Sequence, residues 1–497
     1  MGLEEALTPE QMEILNTSGD LLVLAGPGCG KTTSMILKIK KLLEIEEKPE
    51  KIIVLSFSLK ICTELKEKLT KEGLKDIRVD TFHGFAYDLW KDYYQKEPRI
   101  LEEEEIKEIL KKLFPREKNP LKDPQKKSLY QEYLNKQGLL DFEMLLNKAS
   151  QLPFTFKNYH LFIDEFQDLS PEILDFLKQA KEATFYLFGD PNQSIYSFRG
   201  VNLHLIKQFL NHYKPTIKTV ELTESFRCPE EILEVARDFQ CSPWIIKNFK
   251  SRKQGGTIRG YFLPDEREEA SFITEKVLQL IGGLTLERAS TQALSPKDIF
   301  ILSRIKRVHE PLINEFIQKG IPLALPEDKA QKLKEEVREF INKVLYKKYT
   351  FDRGLSEASL PLKLLLENWK NIHQDEQKIM TYLRGLTLSD LIFPQIEGVN
   401  FLTIHSAKGL EAEVVILIGV EHGLIPLKLF PNVDWEEEKR LLYVALTRTK
   451  KTFYFTGVQN RKLYHWTLSD GLTPWVSHLP IERITKKART LRQSSLF

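Results

Sequence analysis

Leu21-Leu22-Val23-Leu24-Ala25-Gly26-Pro27-Gly28-Cys29-Gly30-Lys31-Thr32-Thr33 is the stretch on which the fold turns. Its apolar first half has the length of a short buried strand, and the glycine-rich turn after it runs into helix formers from Lys31. Gly26, Gly28 and Gly30 let the backbone bend tightly, so that successive N–H groups and a helix N-terminus can cradle a polyphosphate. The pattern G-x-x-x-x-G-K-[ST] is complete in Gly26, Gly30, Lys31 and Thr32. Lys31 would reach the β and γ phosphates, and the Thr32 hydroxyl would sit on magnesium. Pro27, Cys29 and Thr33 complete the nucleotide loop, with Cys29 read as a small loop residue and not as a redox sensor.

Working outward, strand-like runs recur at residues 21–25, 52–56, 161–163 and 185–188, with helix-patterned segments between them. That alternation predicts an α/β fold with a mostly parallel sheet. Residues 89–151 interrupt it as a helical insertion. A second α/β series is predicted from near Thr219, with strands at 298–303, 401–404, 414–418 and 452–455. Residues 346–397 interrupt that series with a mostly helical stretch, broken at Pro361 and Pro394.

The 497 residues exceed one ordinary core and predict two to four domains. Cys29, Cys62, Cys228 and Cys241 show no C-x-x-C spacing, which argues against zinc, an iron–sulfur cluster or a disulfide framework and for a reducing compartment. The first residues lack the basic and apolar regions of a secretory signal, Ala6 breaks the myristoylation pattern, and no apolar run approaches a membrane span. A formal charge of +3 is nearly balanced, so total charge neither indicates nor excludes nucleic acid.

Leu161-Phe162-Ile163-Asp164-Glu165 is an apolar strand ending in two carboxylates, the complement that a phosphate loop needs for magnesium-dependent hydrolysis. Asp164 would hold magnesium through its water shell. Glu165 would orient and deprotonate the attacking water.

With its extension Phe166-Gln167-Asp168, this segment resembles the D-E-x-Q-D motif of the UvrD/PcrA/Rep-like superfamily 1A helicases. Other segments resemble the same family in the same order: Gln11 in Leu7-Thr8-Pro9-Glu10-Gln11, Ser56-Phe57-Ser58, Thr81-Phe82-His83-Gly84-Phe85, and Gly189-Asp190-Pro191-Asn192-Gln193-Ser194-Ile195-Tyr196-Ser197-Phe198-Arg199-Gly200. They continue through Glu224-Ser225-Phe226-Arg227, Thr403-Ile404-His405-Ser406-Ala407-Lys408-Gly409-Leu410-Glu411 and Tyr443-Val444-Ala445-Leu446-Thr447-Arg448.

The resemblance implies two RecA-like P-loop lobes with parallel sheets: lobe 1A in residues 1–88 and 152–215, a helical 1B insertion at 89–151, lobe 2A in 216–345 and 398–480, a much reduced 2B-like insertion at 346–397, and a basic tail at 481–497. It implies ATP hydrolysis between the lobes, coupled to translocation on single-stranded DNA and to 3′–5′ unwinding in repair or replication, in the cytoplasm at a prokaryotic nucleoid. Gln11 would read the adenine edge and Phe226 would stack on its face. Gln193 would sense the γ phosphate, Arg227 and Arg448 would act as arginine fingers, and Glu411 would contact the ribose or link the nucleotide to the DNA site. Phe57, Phe82, Tyr196 and Phe198 would stack on bases, with Thr81 in a DNA-contacting motif and His83, Arg199 and His405 near phosphates. For Phe82, a place in the core weighs equally.

Two departures qualify the resemblance. The 2B insertion is mostly missing, and 1B is reduced, although Leu140-Asp141-Phe142 keeps a small D-F motif. The motor is therefore expected intact, while strand separation competes with an alternative: a clamp-tethered, nucleotide-gated factor that strips proteins from DNA with little unwinding. The tail ends in Gln493-Ser494-Ser495-Leu496-Phe497, which resembles peptides that dock on sliding clamps. Leu496 and Phe497 would fill an apolar pocket while Gln493 bonds at its rim.

Overall fold

Strand Leu21–Ala25 is buried at every position and lies inside its sheet, paired in parallel with Thr184–Gly189 on one side and Lys218–Leu222 on the other. Its unbroken Leu-Leu-Val-Leu run is what a strand covered on both faces requires. The computed structural model describes residues 7–45, 47–246, 249–282, 293–346, 349–373, 375–428, 433–464 and 466–484. It divides into two units: Met1–Glu224 with Pro243–Asn248 and Asp328–Ile392, and Ser225–Ser242 with Phe249–Glu327 and Phe393–Phe497.

The first unit is built on six parallel strands in the order Arg78–Thr81, Ile52–Ser56, His160–Asp164, Thr184–Gly189, Leu21–Ala25, Lys218–Leu222. Thr184–Gly189 thus lies between the strand feeding the phosphate loop and the strand ending in Asp164. Parallel pairing brings all three carboxyl ends to one edge, where open α/β sheets bind ligands. Strand Lys218–Leu222 corrects the expectation that the second series starts near Thr219. Alternation reports that a strand exists, not which sheet it joins.

Helices Glu103–Leu113, Pro124–Gln137 and Phe142–Ala149 make up the first insertion. Asp141 caps the last of these by accepting from the Met144 N–H at 2.7 Å, and Phe142 sets its ring edge-on to His83. Residues 328–392 add further helices to this unit. The Lys378 ammonium bonds Asp80 at 2.8 Å and Asp88 at 2.6 Å, and the Tyr382 hydroxyl donates to Asp80 at 2.5 Å. Burial alone would raise the Asp80 carboxyl, but Lys378 and Arg78 outweigh it and hold it below its ordinary value. Ser58 donates to Asp390 at 2.7 Å, and Lys60 to the Ile392 carbonyl at 2.8 Å. Pro361 does not break the helical stretch. It instead opens helix Leu360–His373, at a position where its missing N–H costs no helical bond.

In the second unit seven strands lie side by side in the order Leu323–Ala324, Val399–Thr403, Ile299–Ser303, Ala412–Leu417, Thr449–Leu463, Thr257–Asp265, Ile481–Arg483, all parallel. Trp466–Leu468 returns antiparallel on Thr449–Leu463. Strand Ile481–Arg483 corrects the start of the expected tail, since Ile481 pairs with Gly260 in the sheet. Residues 485–497, including Gln493, Leu496 and Phe497, lie outside the described residues. Within this unit the Arg461 side chain is buried against Glu421 at 2.8 Å and Glu269 at 2.6 Å. Glu421 also accepts from the Val458 N–H, and Glu269 from the Thr456 hydroxyl, both at 2.6 Å. Among the described residues no helix is long and apolar enough to cross a membrane.

Candidate functional site

Gly28 and Gly30 adopt φ of 74° and 76°, left-handed values that a Cβ would strain, and helix Lys31–Glu44 starts directly after Gly30. The loop is fastened to the sheet by the Gly26 N–H, which donates to the Leu222 carbonyl at 3.4 Å. Cys29 is buried in it. Thr32 is half-buried and Thr33 exposed on the first helical turn. Gln11 sits in a capping box, taking the Thr8 N–H on its amide oxygen at 3.0 Å, and its amide nitrogen reaches the Ser34 hydroxyl at 3.4 Å, which ties it to the loop's own helix.

The Lys31 ammonium lies 3.0 Å from an Asp164 oxygen and is also ion-paired with Glu165. Burial opposes its charge, yet Asp164 and then Glu165 more than reverse this and raise it above the ordinary lysine value. Burial raises the Asp164 carboxyl, with Lys31 opposing and Glu165 adding to the rise. Glu165 takes φ of 54°, a left-handed turn uncommon outside glycine, just after the strand ends.

A hydrogen-bond relay leads away from Glu165. Gln167, fully buried, donates its amide to Glu165 and accepts the Asp190 N–H at 3.1 Å on its oxygen. The Asp190 carboxylate then accepts from the Gln193 amide at 2.9 Å. Gly189 makes room for this, because a Cβ there would collide with the Gln167 oxygen and the Phe166 ring. Gly189→Ala is expected to slow ATP turnover about tenfold by displacing the relay, and to lower thermal stability by about 1–3 kcal/mol because the added methyl overpacks a buried site. Steady-state kinetics beside a melting curve would check it.

Directly after Gln193, the chain presents Tyr196, Phe198 and Arg199. The Arg199 guanidinium lies 5.0 Å from the Tyr196 ring centroid, 5.5 Å from Phe57 and 5.7 Å from Phe198. Phe198 is 69% exposed. An exposed ring beside a cation is the pairing that single strands use, one part for bases and the other for the backbone.

In the second unit Arg227 pairs with Glu411 at 2.5 Å, and Glu411 also takes Lys450 at 2.7 Å. Burial would raise the Glu411 carboxyl, but Arg227 and Lys450 prevail and lower it. Arg448 is buried, donating to the carbonyls of Val444 at 3.0 Å and Leu410 at 3.2 Å. Phe226 is exposed, and His405 is half-buried.

Comparison with known proteins agrees with this geometry at both ends of the chain. Residues 11–199 match the family model described as an AAA domain, and residues 362–460 match the UvrD-like helicase C-terminal domain. The ATP-dependent DNA helicase PcrA of Staphylococcus epidermidis is 24% identical over 99% of this chain and 89% of its own length. The Staphylococcus aureus protein of the same name is 24% identical over 98% and 88%. The two family models and the relatives support a UvrD/PcrA-like DNA helicase. On these matches the chain is an ATP-hydrolysing enzyme with RecA-like parallel sheets. The first alignment spans 653 positions, more than the chain's 497 residues, so the relative carries segments with no counterpart here.

Lys31, Thr32, Asp164, Glu165 and Gln193 gather at one edge of the first sheet, and in the same unit the exposed Phe198 lies together with the half-buried Phe57, Tyr196 and Arg199. Phe82 does not join them: its ring is 1% exposed, in the core, where no base can stack. Thr81 is spent as a helix cap, accepting from the Gly84 N–H at 3.0 Å. His83 is lowered by burial to about 4, so it is neutral near pH 7 and offers phosphates no charge. Gln167 lies in the helicase-like motif, where sequence alone assigns it no role. Its place between two acidic residues of one word was the available signal.

Proposed function

We propose that this chain hydrolyses ATP to move 3′ to 5′ along single-stranded DNA and unwinds tailed duplexes during repair or replication. The observation that carries the reading is the continuity from Lys31 and Glu165 through Gln167, Asp190 and Gln193 into the Tyr196, Phe198 and Arg199 cluster. Gln167 links the carboxylate that would activate water to the segment carrying the rings that would hold bases, so a change at the phosphate has a hydrogen-bonded path toward those rings.

In this reading Lys31 neutralises the β and γ phosphates, Glu165 takes a proton from the attacking water, and Gln193 reports the γ phosphate. Arg227 and Arg448 counter charge on the transferred group, Glu411 meets the ribose, and Gln11 and Phe226 hold the adenine. Thr32 and Asp164 supply hard oxygen donors that suit magnesium, whose charge would relieve the burial now raising the Asp164 carboxyl. Phe198→Ala is expected to raise the DNA concentration for half-maximal ATPase stimulation about tenfold, since one stacked base is worth about 1–3 kcal/mol. Titration with single-stranded DNA would measure it.

Strand displacement on duplexes with 3′ or 5′ tails tests the whole reading. Unwinding that requires a 3′ tail supports it, and dependence on a 5′ tail would overturn the polarity. A second reading, a clamp-tethered factor that strips proteins while separating few base pairs, draws support from the relatives' extra segments. ATP turnover and protein removal without displacement would favour it. Loss of clamp capture on deleting residues 493–497 would support the tether.

A further inference from the structure

We propose that Arg252 is a positioning residue for the nucleotide base, acting through the Phe226 ring. This rests on the reading of Phe226 as the ring that stacks on adenine. The Arg252 guanidinium carbon lies 4.6 Å from the centroid of that ring, over one face. Phe226 is 37% exposed, so surface remains for a second flat partner.

Arg252 is not held there by its side chain alone. Its N–H donates to the Ser225 carbonyl at 3.0 Å. One residue earlier, the Ser251 N–H donates to Glu230 at 2.6 Å and its hydroxyl to the Cys228 carbonyl at 2.5 Å. The segment carrying the guanidinium is thus stitched on both sides of Phe226 to the segment carrying the ring. A ring has two faces, and a cation fixed on one leaves the other for a purine, giving a layered order of guanidinium, phenyl and base. The ring arrives with its rotation already restricted, so less ordering remains to be done when the base stacks. A sequence that carries phenylalanine here, without a polar tip to anchor the ring, gains most from such support.

Steady-state ATPase kinetics on the full chain test this, with inorganic tripolyphosphate as a base-free competitor. Arg252→Ala is expected to raise the KM for ATP about three- to fivefold with kcat within about twofold, and to leave tripolyphosphate inhibition unchanged. In a Phe226→Leu background the same substitution is expected to add nothing. Both side chains are exposed, so melting temperatures should stay level. An unchanged KM in Arg252→Ala, a parallel loss of tripolyphosphate inhibition, or an additive effect on Phe226→Leu would each overturn the assignment. A wild-type chain that fails to turn over ATP would remove the functional reading and this inference together, whereas turnover with an indifferent KM removes only the role of Arg252.

Discussion

Lys31→Ala is expected to reduce DNA-stimulated ATP turnover by at least about a hundredfold, as loss of a preorganised cation on a transferring phosphoryl group does elsewhere. The structure adds a second reason. Lys31 is the counter-charge for Asp164 and Glu165, and its own ammonium is raised by them despite burial. Without it two carboxylates share a buried edge, and the Asp164 carboxyl, already raised by burial and by Glu165, rises further. The variant therefore loses a phosphate ligand and disturbs the groups that would hold magnesium and activate water. Phosphate release at saturating single-stranded DNA, beside a melting curve, decides the point. Turnover within tenfold of wild type would refute the assignment of the loop.

Arg461→Ala is expected to destabilise the second unit by about 3–5 kcal/mol, the cost of leaving a buried charge uncompensated. Arg461, Glu269 and Glu421 all lie almost wholly out of solvent. Burial already raises the Glu421 carboxyl, with Arg461 opposing and Glu269 adding to the rise. Removing the guanidinium raises it further. A carboxyl raised in the folded state favours folding at low pH and loses that contribution as pH climbs through its folded value. The deficit of the variant should therefore narrow as pH falls toward the ordinary carboxylate range and be widest near neutrality. Urea unfolding of both proteins across that range measures it, and a deficit independent of pH would show that lost packing dominates.

The phosphate loop was legible to the residue, because its chemistry is local: glycines where φ turns positive, lysine where the helix begins. The carboxylate pair at the end of its strand was equally plain. What stayed hidden depended on partners distant in sequence. Nothing in residues 218–222 says that they join the first sheet, and nothing in Ile481 says that it pairs with Gly260, since both are short segments that mix apolar with charged residues. Phe82 shows the same limit from the other side, as a ring in a DNA-like motif and a ring in the core are spelled alike. Arg252 lies outside every motif, and only the fold brings it over Phe226.

The passage of residues 328–392 into the first unit bears on how the protein can be taken apart. The chain enters that unit three times, at Met1–Glu224, Pro243–Asn248 and Asp328–Ile392. A fragment cut after Glu224 would carry the phosphate loop and the carboxylates, yet would leave Asp80 and Asp88 without Lys378, and Asp80 without the Tyr382 hydroxyl. No single scission yields either half whole, so a minimal expressible ATP-binding piece has to be rejoined, with residues 328–392 grafted behind a linker.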